Sequence, residues 1–444
     1  MKKKLIIIGV IGILVGVVFF YEAFDYTYTV SIDDVTKDIS LTDGIPDVPE
    51  AAAVAAFAAL DTQNDQGRTQ AQKPLMHPPV TIKAIYATAW SAGSPGKREA
   101  MIDLIKDTEL NAIVIDIKDY SGHVLYDTDL QDVDEYGAQE PRIRDVNAVI
   151  KQFHDNGIYV IARLTVFQDP VLAAAQPKWA VESTETGTVW KDNKGLAWMD
   201  PSNHNVWDYN ISIAHEAAAR GFDEVNFDYI RFPSDGSLQN MIFSSYDSSK
   251  QEKHEIIHNF FVYLNEHMQG TTISADLFGL ATINQGDLGI GQIIEDAYQN
   301  FDYVSPMVYP SHYANGFLGY KNPAEFPHEV VAYSLKNAFS RLFVVRTGIY
   351  ARAGKLRPWL QDFDMGADYD ATKVKAQITA ISDALCDALN ERDEKEHAGA
   401  TSTANQISKS CSALIEDNYT KYANGWMLWN PSNVYTKDAL ASGE

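Results

Sequence analysis

The stretch GFDEVNFDYIRFPSDG, Gly221 to Gly236, decides how the chain folds. Side chains alternate along a strand, so Val225 and Phe227 face one way while Glu224, Asn226 and Asp228 face the other. A strand with one apolar and one acidic face suits the wall of a barrel. Its apolar residues pack against outer helices and its polar ones face the axis. Asp228, nearest the C-terminal end, then reaches the rim where such barrels keep their chemistry. Polar residues inside a barrel also pair with each other simply to fill it, and that reading stays open.

The same signature recurs outward in both directions. Short β-branched runs predict strands at Ile82–Thr88, Ala112–Lys118, Tyr159–Phe167, Glu224–Tyr229, Thr272–Leu277, Tyr303–Val308, Leu342–Ile349 and Gly425–Trp429. Amphipathic stretches lie between them: Lys97–Lys106, Val206–Ala219, Glu252–Met268, Ile290–Tyr298 and Thr372–Leu389. Alternating strand and helix predicts an α/β protein, a (β/α)8 TIM barrel over residues 80–444. Little follows Trp429, so the eighth helix is weak.

The first 79 residues read differently. Lys2, Lys3 and Lys4 precede an uncharged run, Leu5 to Phe20. As a helix the run rises about 24 Å, against about 30 Å for a bilayer core. With no small-x-small cleavage site after it, residues 1–20 are expected to form an uncleaved membrane anchor with the lysines inside; a cleaved signal is the alternative. Residues 21–79 carry ten acids against three bases and five prolines, the composition of a flexible acidic linker. The catalytic domain is therefore expected outside the cytoplasm. Cys386 and Cys411 flank a polar insertion at 387–410 and fit either one disulfide or two free thiols. A formal net charge of -24 argues against nucleic acid as a partner.

Acids, a few cations and aromatics gather at the expected strand ends. Tyr86 ends the first strand, and Val114, Asp116 and Lys118 share a face of the second. Arg163 is a cation inside a buried run and must be paired. Asp276 lies in the fifth strand beside Asp228. Tyr309 and His312 follow the sixth strand, and Trp426 and Trp429 lie in the eighth. Arg231, just past Asp228, either orients that carboxylate or anchors its loop. This mixture suits a sugar, whose apolar ring faces stack on aromatics and whose hydroxyls need polar partners. Cleaving a glycosidic bond takes two carboxyl groups, and Asp228 and Asp276 are the candidates, with Asp116 as another possible partner. No cofactor is required by that chemistry.

The motifs GFDEVNFDYIRFP, ISADLFG, DYVSPMVYPSHY, RPWLQDF and GWMLWNPSNVY, in that order, resemble a bacterial family of glycosyl hydrolases with a TIM-barrel domain. The resemblance runs from about Val80 to Tyr435. It implies a distant likeness to chitinase-like and α-amylase-like barrels. There Asp228 falls where the former keep an acid and the latter a nucleophile, and Trp429 falls where chitinase-like barrels place a tryptophan under the sugar. Asn226 stands where the family commonly has glutamine, and Gln168 where it has lysine. The chain is thus expected to act on an extracellular or cell-envelope polysaccharide.

Two rivals remain. A barrel can bind glycan without cutting it. Residues 254–258 read HEIIH, a match to HExxH, in which His254 and His258 would hold zinc and Glu255 activate water for a metalloprotease. That motif falls on an outer helix, away from the rim.

Overall fold

The structure, a computed structural model, describes residues 68–347, 353–397 and 410–443. The expected anchor and residues 21–67 of the expected linker lie outside the described residues. Among the described residues no helix is long and apolar enough to cross a membrane.

Eight parallel strands close into a barrel: β1 (Ile82–Ala87), β2 (Ala112–Lys118), β3 (Tyr159–Thr165), β4 (Glu224–Asp228), β5 (Thr272–Phe278), β6 (Tyr303–Met307), β7 (Trp359–Gln361) and β8 (Gly425–Trp429). Each pairs with the next, and β8 returns to β1 with Ile82 opposite Gly425. Outside lie α1 (Pro95–Asp107), α2 (Val146–His154), α3 (His204–Arg220), α4 (Lys253–His267), α5 (Ile294–Asn300), α6 (Pro327–Thr347), α7 (Ala371–His397) and α8 (Cys411–Tyr422). The last two both precede β8, and among the described residues a single 3-10 turn, Lys437–Ala439, follows it.

The alternation expected of β4 is what is seen. Val225 and Phe227 join the large apolar layer between strands and helices, while Glu224, Asn226 and Asp228 are buried inside the barrel. A smaller apolar cluster, including Ala84, Tyr86, Val114, Ile161, Trp359 and Met427, fills the rest of the interior. Trp426 is not on the rim: it is buried in the outer layer, because its neighbours Met427 and Trp429 do not share its face.

One strand lies elsewhere than expected. Leu342 to Thr347 continue α6, whose buried Val331, Leu335, Ala338, Phe339, Leu342 and Val345 recur at helical spacing; residues 348–349 of that expected strand are outside the described residues. The β-branched run imitated a strand, whereas the true β7 hides behind Pro358. A proline cannot donate to a ladder, so only Lys355–Leu356 and Trp359–Gln361 pair, on either side of it.

Residues 68–79 form neither helix nor strand and are bonded to the barrel. The Gln72 amide donates to the Arg220 carbonyl, and the Leu75 amide to Asp223. Cys386 on α7 and Cys411 at the start of α8 form a disulfide, with Cα atoms 5.5 Å apart.

Candidate active site

The site grows from the pairing register. Asn226 lies opposite Ser274 and Phe227 opposite Ala275, so Asp228 and Asp276 stand level on adjacent strands and point to the axis. Across β3, Asp116 lies opposite Arg163 and Arg163 opposite Asn226. One guanidinium is therefore surrounded by three carboxylates. Arg163 donates to Asp116 at 2.6 Å and to Asp228, and its Nε lies 3.7 Å from Asp276. Burial opposes its charge, yet Asp228, Asp116 and Asp276 together hold it firmly protonated.

Three buried carboxylates around one cation cannot all be ionised cheaply. Asp276 takes the proton: burial, then the charge of Asp228, pushes it up to about 8. Its Oδ1 accepts from Asn226 Nδ2 at 2.9 Å and from Trp359 Nε1 at 2.8 Å, which fixes the carboxyl in place. Asp228 is held as an anion would be, by Arg163 on one oxygen and by the Tyr229 amide, 2.6 Å away, on the other. Tyr229 has φ 53°, a left-handed conformation that a bulky residue adopts at a cost. Asp116 is raised by burial and accepts from Tyr86 Oη.

Aromatic rings form one wall. Tyr86 stacks on Trp429 with centroids 3.9 Å apart, Trp359 meets Trp429 edge-on at 5.5 Å, and the Arg163 guanidinium lies 4.9 Å from the Trp429 ring. Tyr309 packs edge-on against Phe363. Half-buried His312 lies 5.3 Å from Tyr309, and burial pulls its pKa down to about 4, so its ring is neutral at ordinary pH.

Two expected contacts move. Lys118 does not share a face with Asp116, because the register of β2 against β3 shifts between them. That shift turns Lys118 into a fully buried ion pair with Asp169 at 2.8 Å, supported by the Thr165 carbonyl and Asn210. Asn226 is fully buried and touches Asp276 and Ser274, so it positions the acid rather than a substrate. Trp359 and Arg357 were missed, because the seventh strand was sought in α6; the RPW triplet before LQDF was their signal. Arg357 pairs with Glu224 deep in the barrel, both side chains fully buried.

HEIIH lies on α4. Glu255 accepts from the Glu252 amide and closes a capping box, and His258 Nδ1 lies 3.1 Å from Asp296. Among the described residues no three His, Cys, Asp or Glu side chains gather to hold a metal ion.

The profile of the family described as "Putative glycosyl hydrolase domain" matches residues 84–389, more than half the chain. The chain belongs to this family. A hypothetical protein from Ruminiclostridium thermocellum is 45% identical to this glycosyl hydrolase family member over 43% of the chain and 96% of its own length, with TM-score 0.40. Flavobacterium johnsoniae chitobiase is 11% identical, covering 82% of the chain and 47% of its own, with TM-score 0.44. An exo-β-N-acetylglucosaminidase from Vibrio harveyi is 10% identical, covering 83% and 55%, with TM-score 0.46. The chain spans about half the length of these two enzymes. No curated protein matches the sequence.

Proposed function

We propose that the chain hydrolyses glycosidic bonds of an extracellular or cell-envelope polysaccharide, with Asp228 as nucleophile and Asp276 as general acid. The observation that carries this is the level pair of buried carboxyls, one held by Arg163 and the other kept protonated by its surroundings. Asp276 gives its proton to the glycosidic oxygen while Asp228 attacks the anomeric carbon. The leaving sugar departs, and the Asp276 carboxylate then takes a proton from the water that releases the glycosyl group from Asp228. Adjacent strands about 4.8 Å apart favour the short carboxyl separation of that retaining route over the longer one needed to lodge a water. The Trp429 face turned away from Tyr86 is the surface on which a sugar ring would stack.

A single apolar run behind three lysines supports anchoring at the membrane with the barrel outside. The Cys386–Cys411 disulfide supports an oxidising location.

The test is reducing-end release by the full chain on a panel of bacterial and plant polysaccharides, with chelator present, followed by NMR of the anomer first formed. Release with retained configuration that is lost in Asp228→Asn supports the proposal. Tight glycan binding with no release from any polysaccharide would instead make the barrel a binding module.

A further inference from the structure

Six arginine and lysine side chains are buried among the described residues: Lys118, Arg163, Arg220, Arg231, Arg341 and Arg357. Five have a carboxylate within ion-pair distance: Lys118 has Asp169, Arg163 its three acids, Arg220 Glu216, Arg341 Glu295 and Arg357 Glu224. Arg231 alone has none among the described residues, although it is only 7% exposed. A buried cation without a counter-ion is costly, so the exception calls for a cause.

Its surroundings are aromatic. The guanidinium lies 4.7 Å from the Trp198 ring, 5.4 Å from Tyr229 and 4.6 Å from Phe278, an aromatic cage that holds the head without neutralising it. Only Nη1 is engaged, with the Phe232 carbonyl at 3.0 Å and the Ser234 hydroxyl at 3.1 Å. Nε and Nη2 make no hydrogen bond among the described residues. The charges of Asp228, Asp235 and Asp192 favour the guanidinium from beyond ion-pair distance, while Asp228 bonds to Arg163 and the Tyr229 amide, Asp192 accepts from Trp198 Nε1, and Asp235 from the Asn193 amide. Two cage members end the catalytic strands: Tyr229 directly follows Asp228, and Phe278 lies two residues past Asp276.

We infer that Arg231 receives a carboxylate carried by the substrate, so that the polysaccharide cut at this site contains uronic acid or another acidic sugar. The inference rests on the proposed glycosidase reading and names its substrate class. A guanidinium with two free donors matches a carboxylate in a two-point contact. In a chain of net charge -24, one caged cation beside the reacting carboxyls gives an acidic glycan a local point of attraction. A neutral sugar at the same place would leave Arg231 buried and unpaired, which is discrimination by loss.

The experiment is calorimetric binding of the full chain, in mild detergent, to matched pairs: oligogalacturonate and oligoglucuronate, each against its carboxyl-reduced neutral counterpart. The expected result is at least tenfold tighter binding of the acidic member in one pair, a preference that Arg231→Gln erases and Arg231→Lys partly keeps. Equal affinity for both members, no binding of either pair, or an equal weakening of both by Arg231→Gln would overturn the inference. The wild-type comparison stands even if a variant fails to fold. Reducing-end release separates the two readings: acid preference without cleavage keeps the carboxylate site and removes the hydrolase, while cleavage without acid preference does the reverse.

Discussion

The barrel holds two charged clusters at different depths, built on opposite principles. Near the start of β4, Glu224 and Arg357 form a closed pair, one charge for one, with Ser274 donating to the same carboxylate. Two to four residues further along the strands, Arg163 faces Asp116, Asp228 and Asp276, one cation for three acids. In a balanced pair each buried charge is met by its partner. An unbalanced one must store a proton, and Asp276 is where burial and Asp228 put it. Charge imbalance, more than charge itself, separates the machinery from its support.

Substitutions in the two clusters should therefore fail in different ways. Asp228→Asn is expected to lower kcat/KM by about three orders of magnitude or more while leaving thermal stability near wild type, as read by reducing-end assay and calorimetry. Asp276→Asn should lower it by about 10²–10⁴-fold, with the smaller loss on substrates whose leaving group needs no proton. In the deep pair the pattern inverts. Glu224→Ala strands Arg357 in the interior and is expected to cost about 3–5 kcal/mol of stability by denaturant unfolding, with activity per folded molecule retained. A full loss of activity in stably folded Glu224→Ala would break the distinction.

The pH dependence sharpens it. The acid acts in its protonated form, so the rate should fall about tenfold per pH unit once Asp276 ionises, above about 8. The limb should vanish in Asp276→Asn. Trp429→Ala is the smallest expected effect, a few-fold rise in KM worth about 0.5–1.5 kcal/mol, with kcat little changed.

Much of this was legible in the chain and some was not, for physical reasons. Alternation within β4 predicts which face Asp228 takes, because period two follows from strand geometry alone. The juxtaposition of Asp228 with Asp276 follows from consecutive strands in a barrel. Lys118 was misplaced because a register shift reverses the face of one residue without changing the hydrophobic pattern. Trp359 was missed because Pro358 cuts β7 to three residues, while α6 ends in a run rich in β-branched residues. The missing counter-ion of Arg231 is a property of packing among Trp198, Tyr229 and Phe278, which come from separate segments.

The most direct measurement is chemical rescue of Asp228→Gly by azide on a substrate with a good leaving group. The account expects an inactive variant that azide restores, giving a glycosyl azide of inverted configuration, because the small anion fills the place of the lost nucleophile. Activity of Asp228→Gly within a few-fold of wild type, with no azide product, would contradict it.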